Sequence, residues 1–170
     1  MNKLNDLETD ARKTLFDTMD DVPSGMLGVV GSDQHMQPMT HFADRDLAEV
    51  WFITSKATDL VRAVGQGARA QYCLASGNGD FFACLAGTIE QSTDSAKLDE
   101  LWSPVASAWF DEGREDPDVC LLKLTLLDAG VWATTDSTAA FGLEIARANL
   151  QSSHKPDLGR HCIVRFGAEG

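Results

Sequence analysis

Ala70-Gln71-Tyr72-Cys73-Leu74-Ala75-Ser76-Gly77-Asn78-Gly79-Asp80-Phe81-Phe82-Ala83-Cys84-Leu85-Ala86-Gly87-Thr88-Ile89 is the stretch that decides the fold class. Two runs suited to a pleated, half-buried surface flank a polar connection whose Asn78-Gly79 pair tolerates the positive φ of a tight turn. The reading is an antiparallel hairpin. Upstream, residues 26–30, 36–42 and 49–54 are further strand candidates, parted by Gly31-Ser32-Asp33 and Ala43-Asp44-Arg45-Asp46, so they extend the hairpin into a meander. Downstream, 120–126 and 130–135 read as two strands interrupted at Asp128-Ala129, and 162–166 as the last strand.

Helices frame these strands. Leu4, Leu7, Ala11, Leu15 and Met19 form one stripe that Pro23-Ser24-Gly25 stops, giving a leading helix over about 4–20. A short helix starts at a Thr58 or Asp59 cap and carries Leu60, Val61 and Val64 before Gly65-Gln66-Gly67. Over 95–110, Leu98, Leu101, Trp102, Val105 and Trp109 share a face, so an amphipathic helix kinked at Pro104 is expected to bury both tryptophans. A last helix covers 138–150, with Phe141 and Ile145 one turn apart.

Consecutive hairpins cannot supply the crossovers that parallel pairing requires. The expected fold is therefore mainly β with flanking helices (α+β), an antiparallel barrel over about 25–135 and 160–167. At 170 residues with 44% hydrophobic content, one domain spanning 1–170 is expected.

Lys and Arg total 14 against 26 Asp and Glu, and a net charge of −12 repels a phosphate backbone, so nucleic acid is not an expected partner. No apolar run is long enough for a bilayer span and residues 1–6 lack a secretion signal, so no membrane partner and a cytoplasmic location are expected. The four cysteines form no C-x-x-C pair; Cys73, Cys84 and Cys120 lie in apolar runs and are expected as buried reduced thiols. His35, His41, His154 and His161 lack paired ligand spacing, so no metal is expected. G-x-S-x-G, H-E-x-x-H and P-loop signatures are absent, and no catalytic residue emerges.

Four strings, in this order and spacing, carry a resemblance: Gln37-Pro38-Met39-Thr40-His41, Glu49-Val50-Trp51-Phe52-Ile53-Thr54-Ser55-Lys56, Glu115-Asp116-Pro117-Asp118-Val119-Cys120-Leu121-Leu122 and Gly130-Val131-Trp132. From about Leu7 to Phe166 the chain resembles the FMN-binding split-barrel superfamily, in particular the general stress protein branch of the pyridoxamine 5′-phosphate oxidase-like proteins. The resemblance implies a split barrel, FMN as cofactor, and a homodimer with its ligand site at the subunit interface. It places Met39, Thr40 and His41 beside the flavin ring and phosphate arm. Phe52, Ile53, Thr54 and Ser55 supply backbone and hydroxyl groups, Lys56 and Thr58 lie at the phosphate, and Trp132 comes from the partner subunit. Thr54, Ser55 and Thr58 read equally as strand-end and cap hydroxyls, and Trp132 reads also as a buried barrel residue.

The chain departs from that pattern at three places. Asp59 and Leu60 stand where phosphate-binding relatives carry a basic residue, His41 stands where many carry a permanent cation, and Phe82 replaces an expected polar side chain. Two functions follow. One is a flavin-dependent oxidoreductase in which the isoalloxazine carries the redox chemistry and the protein supplies binding. The other is a degenerate split barrel that has lost FMN and acts as a binding module.

Overall fold

The computed structural model describes residues 3–135, 138–151 and 158–167. Eight strands form one antiparallel sheet: β1 (Ser24–Val29), β2 (Gln37–Thr40), β3 (Phe42–Asp44), β4 (Glu49–Ser55), β5 (Ala68–Ala75), β6 (Phe81–Ser92), β7 (Val119–Thr134) and β8 (Gly159–Arg165). Neighbouring strands follow the order β2-β1-β5-β6-β7-β4-β3, with β8 on β7. The sheet curls into a split barrel. Phe52 of β4 meets Tyr72 of β5 edge to face with centroids 5.1 Å apart, although two strands separate β4 and β5 in the sheet. Interior positions alternate with exterior ones, so Tyr72, Leu74, Phe81, Leu85, Leu122, Leu124 and Val131 fill one continuous core.

β7 is one strand of 16 residues rather than the two expected. Along one edge it pairs with β6 throughout; along the other it pairs first with β4 and then with β8. The Asp128-Ala129 interruption proves to be the flank of a β-bulge. Gly87 lies opposite Leu126 and Ala86 opposite Asp128, which leaves Leu127 as the extra residue. Gly87 is required there: a Cβ would stand 2.1 Å from the Thr125 carbonyl oxygen.

The leading helix is two helices, α1 (Lys3–Thr9) and α2 (Ala11–Asp21), because Asp10 leaves helical geometry and caps α2 by accepting from the Lys13 amide at 2.9 Å. Leu7, Leu15, Phe16 and Met19 are buried; the side chain of Leu4 lies outside the described residues. α3 (Asp59–Val64) follows the Thr58 cap and buries Leu60, Val61 and Val64.

The single amphipathic helix over 95–110 does not form. α4 (Ser95–Leu101) ends before Ser103, whose hydroxyl caps α5 (Pro104–Ser107) with Pro104 at its first turn. Proline lacks the N–H that would continue α4, so it starts a helix instead of bending one. Neither piece buries a residue: Trp109 is 81% exposed, and Trp102 rests on Phe110 while its indole N–H donates to Ser107 Oγ at 2.8 Å. The buried tryptophan is Trp51, with Lys97 and Lys123 over its ring at 5.4 and 5.9 Å. α6 (Thr138–Leu150) matches expectation in span, yet Phe141 and Ile145 are exposed.

Candidate functional site

The residues expected at a ligand occupy two places. β2, β4 and the turn into α3 supply the first. Within it, Phe52 is fully buried against Tyr72, Met39 packs on the core, Thr40 is exposed, and Ile53, Thr54 and Ser55 are partly open. His41 is buried too. Its Nε2 lies 2.9 Å from the Met19 carbonyl, which can only accept, so that nitrogen bears the hydrogen; Nδ1 lies 2.7 Å from the Tyr72 hydroxyl. The Met39 carbonyl, 2.9 Å from the same hydroxyl, competes with Nδ1 for its one hydrogen. Burial, opposed by the Met19 hydrogen bond and Asp20, holds the His41 pKa below its usual value. His41 thus ties the end of α2 to the barrel as a neutral side chain.

The hydroxyls at the start of α3 are already committed. Ser55 donates to the Asp118 carboxylate and accepts from the Ala57 amide at 3.1 Å. Thr58 donates to the Ser55 carbonyl at 3.0 Å and accepts from the Val61 amide at 3.3 Å. Asp59 pairs with Arg62, whose guanidinium also donates to the Ala57 carbonyl at 2.9 Å. The Lys56 amide donates to the Asp118 carbonyl at 2.8 Å, and its side chain is exposed. Asp118 is the residue sequence reasoning passed over; it sits in a quoted string, but only the β4–β7 register brings it to Ser55.

Trp132 forms the second place. It stands opposite Phe82 on β6 and His161 on β8, and its ring stacks on His161 with centroids 4.8 Å apart. Beside this aromatic row runs another, Met26, Cys73, Cys84, Gly130 and Ile163, one residue from each of five strands. Both rows lie on the outer sheet face, where Phe82, Trp132, Met26 and Ile163 are all more than 40% exposed. Trp132 is therefore an outer-face residue, and its indole lies over Gly130, where a Cβ would stand 2.8 Å from the ring and make the indole shift. His161 and Ile163 are alternate outer positions of β8, which begins at Gly159, three residues before the strand start expected at 162.

Trp132 lies twelve positions along β7 from Cys120, which is opposite Thr54, a span of about 40 Å. A recess of about 230 Å³ between α1 and α2 is lined by Lys3, Asp6, Asp10, Lys13 and Asp17, and none of the expected site residues lines it. Among the described residues, no group of three or more His, Cys, Asp or Glu could hold a metal, and no helix is long and apolar enough to cross a membrane. His154 lies outside the described residues.

The family described as Pyridoxamine 5'-phosphate oxidase like matches residues 10–157. The chain belongs to that family. Within it the chain falls in the general stress protein branch. It is 42% identical to general stress protein 26 from Jannaschia sp. CCS1 over 93% of this chain and 99% of that one, with a TM-score of 0.76. A general stress family protein from Xanthomonas campestris is 32% identical over 76% of this chain and 90% of its own, with a TM-score of 0.69. The general stress FMN/FAD binding protein of Xanthomonas citri is 32% identical over 74% and 89%, with a TM-score of 0.68. No curated protein matches the chain.

The FMN that this family implies meets two different donor sets here. The exposed Phe82, beside a Trp132 ring stacked on His161, offers aromatic surface to a flat conjugated ring. The phosphate end is less suited: Ser55 and Thr58 have spent their hydroxyl hydrogens, the Asp59 and Asp118 carboxylates flank the corner, and the exposed Lys56 is the cation that could meet an anion there.

Proposed function

We propose that two copies of this general stress protein pair through the outer sheet face and hold a flavin of the FMN type at the interface, as a cytoplasmic flavin-dependent oxidoreductase. The observation that carries this reading is the exposed row of Phe82, Trp132 and His161. Large aromatic side chains left open on a folded sheet mark a surface that takes a partner or a ring. The distance along β7 supports sharing between subunits: Met39, Thr40, His41, Phe52, Ile53, Thr54, Ser55, Lys56 and Thr58 from one copy would face Trp132 of the other. The flavin-binding description of the Xanthomonas citri protein adds to it. Four free cysteines suit a reducing compartment.

The acidic phosphate end favours a second reading, a split barrel that pairs in the same way but has given up FMN. Purification and titration separate the two. Protein that is yellow as isolated, or that quenches FMN fluorescence with one site per chain, and that has the mass of two chains by light scattering, supports the first. Colourless protein that FMN does not reconstitute supports the second, and a monomer removes the shared site altogether.

A further inference from the structure

Cys73 on β5 and Cys84 on β6 are direct cross-strand partners. The Ser76 amide donates to the Phe81 carbonyl at 2.9 Å, so 76 and 81 form a hydrogen-bonded pair, and alternation makes 73 and 84 a non-hydrogen-bonded one. At such positions opposed Cα atoms stand about 4.5 Å apart and their side chains point the same way, inside the roughly 4.4–6.8 Å range that a disulfide spans. Both cysteines were expected to be buried; instead both are half-buried on the outer face. Their inner-face neighbours Tyr72, Leu74, Ala83 and Leu85 are the ones in the core. The other two cysteines lack such a partner: Cys120 donates its thiol to Gln91 Oε1 at 3.7 Å, and Cys162 stands opposite Val131.

We propose that Cys73 and Cys84 are a redox site, a dithiol that closes reversibly into an intrachain disulfide by exchange with a low-molecular-weight disulfide such as oxidised glutathione. One cysteine thiolate attacks a glutathione sulfur, the S–S bond breaks, and glutathione leaves as thiolate. The second cysteine loses its proton and attacks the protein sulfur of the mixed disulfide, expelling the second glutathione. Two protein thiols are oxidised, one glutathione disulfide is reduced to two thiols, and the two protons pass to the leaving thiolates. The sheet holds the two cysteines opposite one another on one face, so the second step is intramolecular. Burial first, and then the neighbouring Cys84, pushes the Cys73 thiol up to about 11, so exchange is slow at neutral pH and is read at equilibrium.

Pairing through the outer face would cover both sulfurs, so the test equilibrates the full-length protein and its Ile163→Asp variant, which keeps that face open, overnight across ratios of reduced to oxidised glutathione, followed by intact mass and peptide mapping. The expected product at the oxidising end is lighter by two hydrogens, carries a 73–84 cross-link, and reverts fully in excess reduced glutathione. In Cys73→Ser the same conditions should leave Cys84 bearing one glutathione with no loss of two hydrogens, and Cys84→Ser should mirror it. The inference is overturned if Ile163→Asp never loses two hydrogens, if the cross-link maps to Cys120 or Cys162, or if either single variant still loses two hydrogens.

Discussion

His41 is a neutral imidazole at a position where the family resemblance suggested a charge near the ligand, and its chemistry is readable in a titration. The folded pKa lies below the ordinary 6.5, so between those values the unfolded chain binds more protons than the folded one. The contribution is whole above about pH 6.5 and is lost as pH falls through the folded value. Melting temperature should therefore drop as pH is lowered from 7.5 to 5, and His41→Phe should fall less steeply over that window; equal slopes would mean that His41 titrates normally. The corner at α3 permits a second prediction. If FMN binds, Asp59→Lys should tighten it by about 1 kcal/mol, roughly fivefold, a modest value because the site is exposed and screened. Thr54→Val should weaken it by about 1 kcal/mol through one lost hydrogen bond. FMN titrations that move with neither variant would place the phosphate elsewhere. The sequence already exposed the hydroxyls of Thr54, Ser55 and Thr58 and the awkward Asp59. What it hid was that Asp118 claims Ser55, a contact across 63 positions that no local pattern encodes.

Among the elements, strands were legible where alternation and turn chemistry agreed, as in the β5–β6 hairpin, and illegible where one local signal had two physical meanings. Asp128-Ala129 resembles a turn in composition, but its place in β7 is set by tertiary pairing: β6 holds one edge unbroken while the other edge changes partner from β4 to β8. A bulge lets the strand bend between those partners without ending. Over 95–110 the apolar spacing is helical, yet periodicity cannot say whether a face is covered, and here the outer side of α5 meets no other element's core. The bulge is open to direct test. In Gly87→Ala the new methyl would stand 2.1 Å from the Thr125 carbonyl oxygen, a backbone atom that cannot swing aside. The expected loss is about 2–4 kcal/mol in urea unfolding, against under about 0.5 kcal/mol for a substitution at the open Gly77. Equal effects would show that the register there is soft.

For the whole molecule, the outer sheet face poses the main energetic problem. Each copy carries a net charge of −12, so two copies repel at long range, and any pairing must rest on short-range burial of Met26, Phe82, Trp132 and Ile163. That balance makes two demands on a dimer. Added salt, by screening the repulsion over a Debye length of about 10 Å at 0.1 M, should strengthen association instead of weakening it. A charge placed at the centre of the apolar rows should abolish pairing while sparing the fold. Ile163 is the suitable position, because it is 51% exposed in the single chain and its replacement by Asp leaves no cavity in the core. In the paired state the same carboxylate would lose its water among the apolar side chains of both copies, a cost of several kcal/mol that exceeds what a modest apolar interface returns. Ile163→Asp should therefore run as a folded monomer by sedimentation, with a melting temperature within a few degrees of a wild-type sample diluted to the monomer, and should lose flavin binding even though Thr54, Ser55 and Thr58 are untouched. A variant that stays dimeric would move the interface off this face, and a monomeric variant that still binds flavin would show that one chain completes the site alone.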